Sequence, residues 1–404
     1  MDLVALPCPA ELAAPFLARV PSDRFDALVL EKQAAALGPA LRAKGAREVV
    51  ALPESLYGRV TQPATRAALR RLTERRHARA FFPVNSFGGN VALLLAALAD
   101  EVAAVSATAE PPLALPLPAE APPLPPPARG AALEDLQSEI ARRLAAPDGR
   151  LEALDGAART GERPTAGLVA GFPYDAEVLA RYAAAAGRVR GRVVELGAGL
   201  GGGAWLLTQL DAALSLRGFD CDSDAVALAT ARFGGGRLSF AEGRAEATPL
   251  PDGAADGLVS FEVLEHLADP ARLVREARRL LVPGGVFFGS TPDHRLYPYR
   301  VHDGRPGTPA EVRARGAWPW HVTALDPAAV GRILDEGGFS GVTIGWPTWT
   351  TGLRALPAVR AAADLDTALD VVAGLTWSVA DFAVLDTYVP VFSGFSFVFS
   401  AVKG

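Results

Sequence analysis

The chain runs to 404 residues, 50% of them apolar, and sets 40 Lys and Arg against 45 Asp and Glu for a formal net charge of −5. That length can bury more than one core, so two domains are expected, and mixed charge with only short basic runs such as Arg70-Arg71 and Arg75-Arg76 argues against a nucleic-acid partner. Cys8 and Cys221 are too few for a disulfide framework and the five histidines show no ligand spacing, so no metal is expected; the longest apolar stretch, 91–98, is far short of the roughly 20 residues of a bilayer span, which points to a cytoplasmic protein.

In chain order, apolar runs at 3–6, 27–30, 48–52, 80–84 and 102–106 predict strands, and the segments between them predict helices. Lys44-Gly45 supplies a helix stop. This alternation predicts a small, mostly parallel, Rossmann-like α/β domain over residues 1–108. Its NSFGGN turn at 85–90 could receive an anion at a helix start, but one glycine pair is weak evidence and a tight strand-to-helix turn is the plainer account. His77, within ERRHAR, suits a solvated basic helix face better than a catalytic base. Residues 109–130, AEPPLALPLPAEAPPLPPPARG, predict an extended proline-rich linker. Helical periodicity at 133–144 leads into a second domain, 131–404, with an insertion at about 346–394 and a late strand at 395–402.

The second domain carries the chemistry. RVVELGAGLGGG at 192–203 runs from a buried strand into glycines and then a helix, so backbone amides can face a ligand. Gly197, Gly199 and Gly202 fit a dinucleotide fingerprint, with Asp220 at the distance of a ribose-binding acid. Glu195 tilts the choice: at the strand end it would repel a pyrophosphate and accept from a cationic group. Asp220 ends the next strand, 216–219, and can take two ribose hydroxyls; Asp222, Ser223 and Asp224 are free to cap the following helix. FAEGRAE at 240–246 offers a side chain to an adenine, and DGLVSFEVLEHL at 256–267 makes a fourth strand ending at Phe261 and Glu262. Asp269 and Pro270 start a helix that Pro283-Gly284-Gly285 turns into the strand 286–290.

The order ELGAGLG, GFDCD, GRAEATPLPDGAADGLVSFEVLEHL, REARRLLVPGGVFFGSTPD resembles the class I S-adenosylmethionine-dependent methyltransferases over about residues 180–293. ARYAAAAGRVRGRVVELGAG and WPWHVTALDP further resemble a bacterial branch associated with surface polysaccharide and glycolipid biosynthesis, in which an Arg-Tyr pair precedes the first strand. The resemblance implies a seven-stranded, doubly wound sheet and S-adenosyl-L-methionine as cofactor. It places Tyr182, Glu195, Gly197, Ala198, Gly199 and Gly201 along the methionine and ribose, Asp220 on the ribose hydroxyls, Cys221, Ala245 and Glu246 at the adenine, and Phe261 and Glu262 beside the transferring methyl. Arg244 departs from the pattern, standing where many relatives carry an acid.

Methyl transfer from a sulfonium depends on alignment, and a hydroxyl acceptor also needs a base. Glu262, His266 and His321 are the catalytic candidates, with Glu265 and His294 as further bases. His266 could instead be a packed helix residue, and His321 a buried structural one. Five of the six tryptophans lie between Trp318 and Trp377; Trp318, Trp320, Trp346 and Trp349 suit stacking on a sugar, a hydrophobic subcore or an oligomer contact such as a homodimer. The expected acceptor is a glycan, glycolipid or related small molecule, methylated on oxygen. A nicotinamide-dependent oxidoreductase and a noncatalytic binding scaffold on the same fold are the alternatives.

Overall fold

The computed structural model describes residues 1–6, 10–52, 63–73, 77–83, 89–105, 113–118, 122, 124, 130–144, 173–296, 321–375, 379–386, 388–389 and 396–404. The NSFGGN turn lies largely outside them. Strands β1 (Asp2–Leu6), β2 (Phe25–Leu30), β3 (Ala46–Leu52), β4 (His77–Pro83) and β5 (Ala99–Val105) run parallel in the order β3-β2-β1-β4-β5. Helices α1 (Ala10–Arg19), α2 (Glu31–Lys44), α3 (Pro63–Thr73) and α4 (Gly89–Leu98) alternate with them, as parallel crossovers require. Central β1 is buried throughout, which is why DLVAL reads as an almost continuous apolar run. Gly45, at φ 111°, closes α2 where a Cβ would lie 1.9 Å from the Asp23 carbonyl oxygen.

Two expectations change here. His77 opens β4, is 1% exposed, and sets Nε2 3.1 Å from Asp26 Oδ2, an oxygen that Arg47 also reaches at 2.9 Å. The flanking arginines suggested a wet helix face, whereas His77 is the buried first residue of a strand. Within the proline-rich stretch, β6 (Ala114–Pro116) pairs antiparallel with β5. Its place on the sheet edge tolerates the missing proline donor.

The second sheet has the order β13-β12-β14-β11-β10-β7-β8-β9. Strands β7 (Arg192–Leu196), β8 (Ser215–Asp220), β9 (Leu238–Glu242), β10 (Ala255–Phe261) and β11 (Leu281–Pro292) are parallel; β14 (Ser396–Lys403) inserts antiparallel between β11 and β12 (Phe339–Trp349). The expected seven strands become eight because β12 continues past Gly345. Its Trp346–Trp349 half pairs with β13 (Phe382–Leu385), which comes from the insertion.

Helices α5 (Gly130–Leu144), α6 (Pro173–Ala186), α7 (Gly202–Leu210), α8 (Ser223–Phe233), α9 (Pro270–Leu280) and α10 (Pro327–Glu336) accompany this sheet. The start of α9 follows its sequence signals: the Asp269 side chain accepts from Ala271 N, Pro270 takes the first helical position, and Leu273, Val274, Ala277 and Leu280 are buried. The insertion's α11 (Thr350–Arg360) and α12 (Leu365–Ala373) pack on α4, while Arg66 and Arg70 of α3 pair with Asp366 and Asp370. One apolar cluster consequently joins both sheets, from Leu3 and Leu93 through Leu353 and Leu369 to Val193 and Leu207. No described helix is long and apolar enough to cross a membrane.

Candidate active site

The strand order reverses between β7 and β10, so the loops at their carboxyl ends diverge and leave a crevice. Glu195 stands at the end of β7 with 0% exposure. Its Oε1 accepts a 2.7 Å hydrogen bond from the Tyr182 hydroxyl of α6, and its Oε2 is buried without a hydrogen-bond partner among the described residues. Burial pushes this carboxyl up to about 8, opposed by the Tyr182 hydrogen bond and assisted by the nearby Asp220 charge.

The glycine loop follows. Gly197, Gly199 and Gly201 take φ values of 81°, 51° and 80°, a left-handed backbone that glycine adopts without cost. Gly197 N and Ala198 N donate to the Phe219 carbonyl at 2.8 and 2.9 Å, which ties the loop to β8. A Cβ on Gly197 would fall 2.3 Å from Val263 Cγ2, whereas one on Gly199 would meet nothing within 4 Å. The first glycine is required by packing and the second borders open space. Gly202, the third glycine of the dinucleotide pattern, is the first residue of α7.

Asp220 ends β8 with 8% exposure; Oδ2 accepts from Gly199 N at 2.8 Å and Oδ1 from Asp222 N at 3.0 Å. The cap of α8 falls to Asp222, whose side chain accepts from Asp224 N and Ala225 N. Cys221 is exposed. In the loop after β9, Gly243 N donates to the Asp220 carbonyl, and Arg244 reaches back 2.9 Å to Glu246 just beyond Ala245. Arg244 thus engages the neighbouring acid.

Phe261 closes β10 with its ring 4.4 Å from that of Tyr182. Glu262, at φ 54°, has the only positive φ of a non-glycine among the described residues. Its carboxylate is heavily engaged: Ser290 donates to Oε1 at 2.6 Å, Ser396 to Oε2 at 2.7 Å, and Arg181 Nη1 lies 2.9 Å from Oε1. Arg181, 1% exposed, also binds Glu177 at 2.8 Å. Burial raises the Glu177 carboxyl, and Arg181 pulls it back. The Arg-Tyr pair was visible in the sequence. Glu177, four residues before Arg181, was detectable by its helical spacing, whereas Ser290 and Ser396 carried no local signal.

A short 3-10 turn, Leu264–His266, follows. Buried Glu265 accepts from the Thr291 hydroxyl at 2.9 Å, and its backbone carbonyl accepts from Val322 N and Thr323 N, which fixes the chain beside His321. The His266 and His321 rings meet edge to face at 4.9 Å. Burial, then the neighbouring His266, lowers His321 to about 4; burial and Glu262 hold the Glu265 carboxyl well above its ordinary range. His294 is separate, its Nδ1 2.7 Å from the Leu325 carbonyl. Trp349 is fully buried in the core, so it cannot stack on an acceptor; Trp346 meets Tyr388 edge-on. Trp318 and Trp320 lie outside the described residues.

Residues 194–289 match a family model described as a methyltransferase domain. A probable S-adenosylmethionine-dependent methyltransferase of Mycolicibacterium smegmatis is 35% identical over 181 residues, covering 45% of this chain and 64% of that protein. A second, from Mycobacterium tuberculosis, is 30% identical over 199 residues, 48% of this chain and 67% of its relative. The chain therefore spans about two thirds of the length of these relatives. Among solved structures, a possible histamine N-methyltransferase from Thermotoga maritima shares 17% identity over 56% of this chain and 89% of its own, at a TM-score of 0.38. With the sequence likeness falling on the strands and loops that build the crevice, the chain belongs to the class I S-adenosylmethionine-dependent methyltransferases.

Proposed function

We propose that the protein transfers the methyl group of S-adenosylmethionine to a hydroxyl oxygen of a glycan, glycolipid or related small molecule. The observation that carries the donor half is the buried Oε2 of Glu195, which has no hydrogen-bond partner among the described residues, on a strand whose following loop leaves open space at Gly199. A buried acceptor of this kind fits the ammonium of a methionine moiety and would oppose a pyrophosphate. Asp220 then holds the ribose hydroxyls, and Ala245, Glu246 and Cys221 border the adenine. When bound, the cofactor supplies an electrophilic methyl on a positively charged sulfur.

The protein's residues supply alignment and a route for the proton. Tyr182 fixes the Glu195 carboxylate, and the Phe261 ring packs against Tyr182 beside the methyl position. With its carboxylate held by Arg181, Ser290 and Ser396, Glu262 serves to fix that edge rather than to exchange a proton. A hydroxyl acceptor methylated here would lose its proton to water, and His266 and His321 are the imidazoles that would line its exit. The sugar-like acceptor rests on the resemblance to the surface-polysaccharide branch.

The test is calorimetric titration with S-adenosylhomocysteine, followed by incubation of the protein with methyl-labelled cofactor and a glycolipid extract. Cofactor binding with label in alkali-stable methyl ethers is expected. A folded protein that binds no S-adenosylhomocysteine would overturn the donor assignment, and label only on nitrogen or carbon would overturn the acceptor.

A further inference from the structure

Glu265, His266 and His321 converge although the sequence separates His321 from the other two by a long stretch. One nitrogen from each imidazole and one carboxylate oxygen all lie within 4.8 Å of one another. His266 Nε2 is 3.8 Å from Glu265 Oε1. That oxygen is buried and has no hydrogen-bond partner among the described residues, although Thr291 satisfies its twin. A buried carboxylate oxygen left bare beside two imidazoles lacks a partner that its surroundings are built to accept.

We propose that Glu265, His266 and His321 form a binding site for a divalent transition-metal cation. The donor set selects the class: oxygen-only cages suit magnesium and calcium, whereas two imidazoles with one carboxylate suit zinc, iron, cobalt or nickel. Ligand atoms about 2.0–2.1 Å from a tetrahedral zinc ion stand about 3.4 Å apart. The 3.8 Å pair nearly meets that spacing, and side-chain rotation on metal binding would have to close the remainder of the 4.8 Å span. The scaffold is already fixed, because the Glu265 carbonyl holds Val322 N and Thr323 N at 2.9 and 3.1 Å and so anchors the loop segment that carries His321.

Three protein ligands leave at least one position open, as in catalytic rather than structural zinc sites. On the methyltransferase reading, the open position takes the acceptor hydroxyl. The ion lowers the hydroxyl pKa, its proton passes to water, the oxygen forms the new bond to the methyl carbon, and the sulfur keeps the electron pair of the broken bond. Atoms and charge balance without any oxidant.

The experiment begins with chelator-treated full-length protein titrated with Zn2+ by calorimetry and with Co2+ by visible spectroscopy. One Zn2+ per chain and Co2+ ligand-field bands of an imidazole-containing site are expected. Glu265→Gln, His266→Gln and His321→Gln should each weaken Zn2+ at least about tenfold, while His294→Gln leaves it unchanged. S-adenosylhomocysteine affinity confirms that each variant is folded. For any variant that does not fold, imidazole nitrogen NMR of the unaltered protein serves instead: Zn2+ should move two of the five histidine signals. Wild-type-like Zn2+ affinity in the folded variants, or movement of no pair of histidines, overturns the site. Zn2+ binding without S-adenosylhomocysteine binding would leave the metal site standing and remove the methyl-transfer reading; the reverse result would do the opposite.

Discussion

Gly197 and Gly199 share a left-handed backbone, yet a methyl group on each would have a different fate. Alanine at either position costs about 1–2 kcal/mol in backbone strain. At Gly197 the added carbon also collides with Val263, a further penalty of about 1–3 kcal/mol for overpacking. At Gly199 it projects into open space. Gly197→Ala should therefore lower the urea midpoint clearly more than Gly199→Ala, whereas Gly199→Ala should weaken S-adenosylhomocysteine at least about tenfold. Unchanged affinity in Gly199→Ala would show that this space is not the cofactor's. Glu195 makes a second prediction, on pH. In the unfolded chain its carboxyl ionises near 4.5, and in the fold only near 8. Between those values the folded state holds the extra proton, so stability falls as pH rises, by up to about 1.4 kcal/mol per pH unit. Glu195→Gln should flatten that part of the profile measured by urea denaturation. Because a cationic ligand favours the ionised carboxylate, S-adenosylhomocysteine binding near pH 7 should release a proton from the unaltered protein and none from the glutamine variant. Calorimetry in buffers of different ionisation enthalpy reads the difference, and equal proton release would remove Glu195 from the ammonium site.

Helix α6 is joined to the sheet by charge as well as by apolar packing. Arg181 lies buried between Glu177 and Glu262, and Glu262 is held in turn by serines from β11 and β14. Removing the central cation leaves two carboxylates facing each other, so Arg181→Met should cost about 3–5 kcal/mol in urea denaturation. Adding Glu177→Gln should recover part of that loss, and a cost below about 1 kcal/mol would show that the triad does not anchor the helix. The element scale also separates what sequence discloses from what it hides. The glycine loop, the Asp269-Pro270 helix start and the parallel strands were legible because each depends on residues close in the chain. Strand β13 and the Ser396 contact were not, because β12 and β14 acquire those neighbours only after the insertion folds back. His77 failed for a related reason: two arginines beside it gave a local pattern, while the decisive partner, Asp26, lies on another strand. The grouping of His321 with Glu265 and His266 is equally nonlocal.

At the scale of the molecule, the insertion couples the two sheets. Leu353, Leu356, Leu369 and Val372 on α11 and α12 are buried in the cluster that also contains Leu93 and Leu94 of α4. The ion pairs across this junction contribute less: Asp366 and Asp370 side chains are 40% and 69% exposed, so each pair is worth no more than about 1 kcal/mol. Removing both with Asp366→Asn and Asp370→Asn should shift calorimetric unfolding only slightly. Leu369→Ala, which hollows a fully buried contact, should cost about 2–5 kcal/mol. Since one apolar cluster spans both sheets, the unaltered protein should unfold in a single calorimetric transition, and Leu369→Ala should either lower it as a whole or split it. Linkage gives the sharper measurement. A ligand that binds only the second sheet stabilises whatever unfolds with it, so saturating S-adenosylhomocysteine should slow amide exchange in β1 and β4 as well as in β7 and β8. Leu369→Ala should abolish the protection in β1 and β4 while leaving that in β7 and β8. If exchange in the first sheet ignores the ligand in the unaltered protein, the shared core does not transmit folding stability between the sheets.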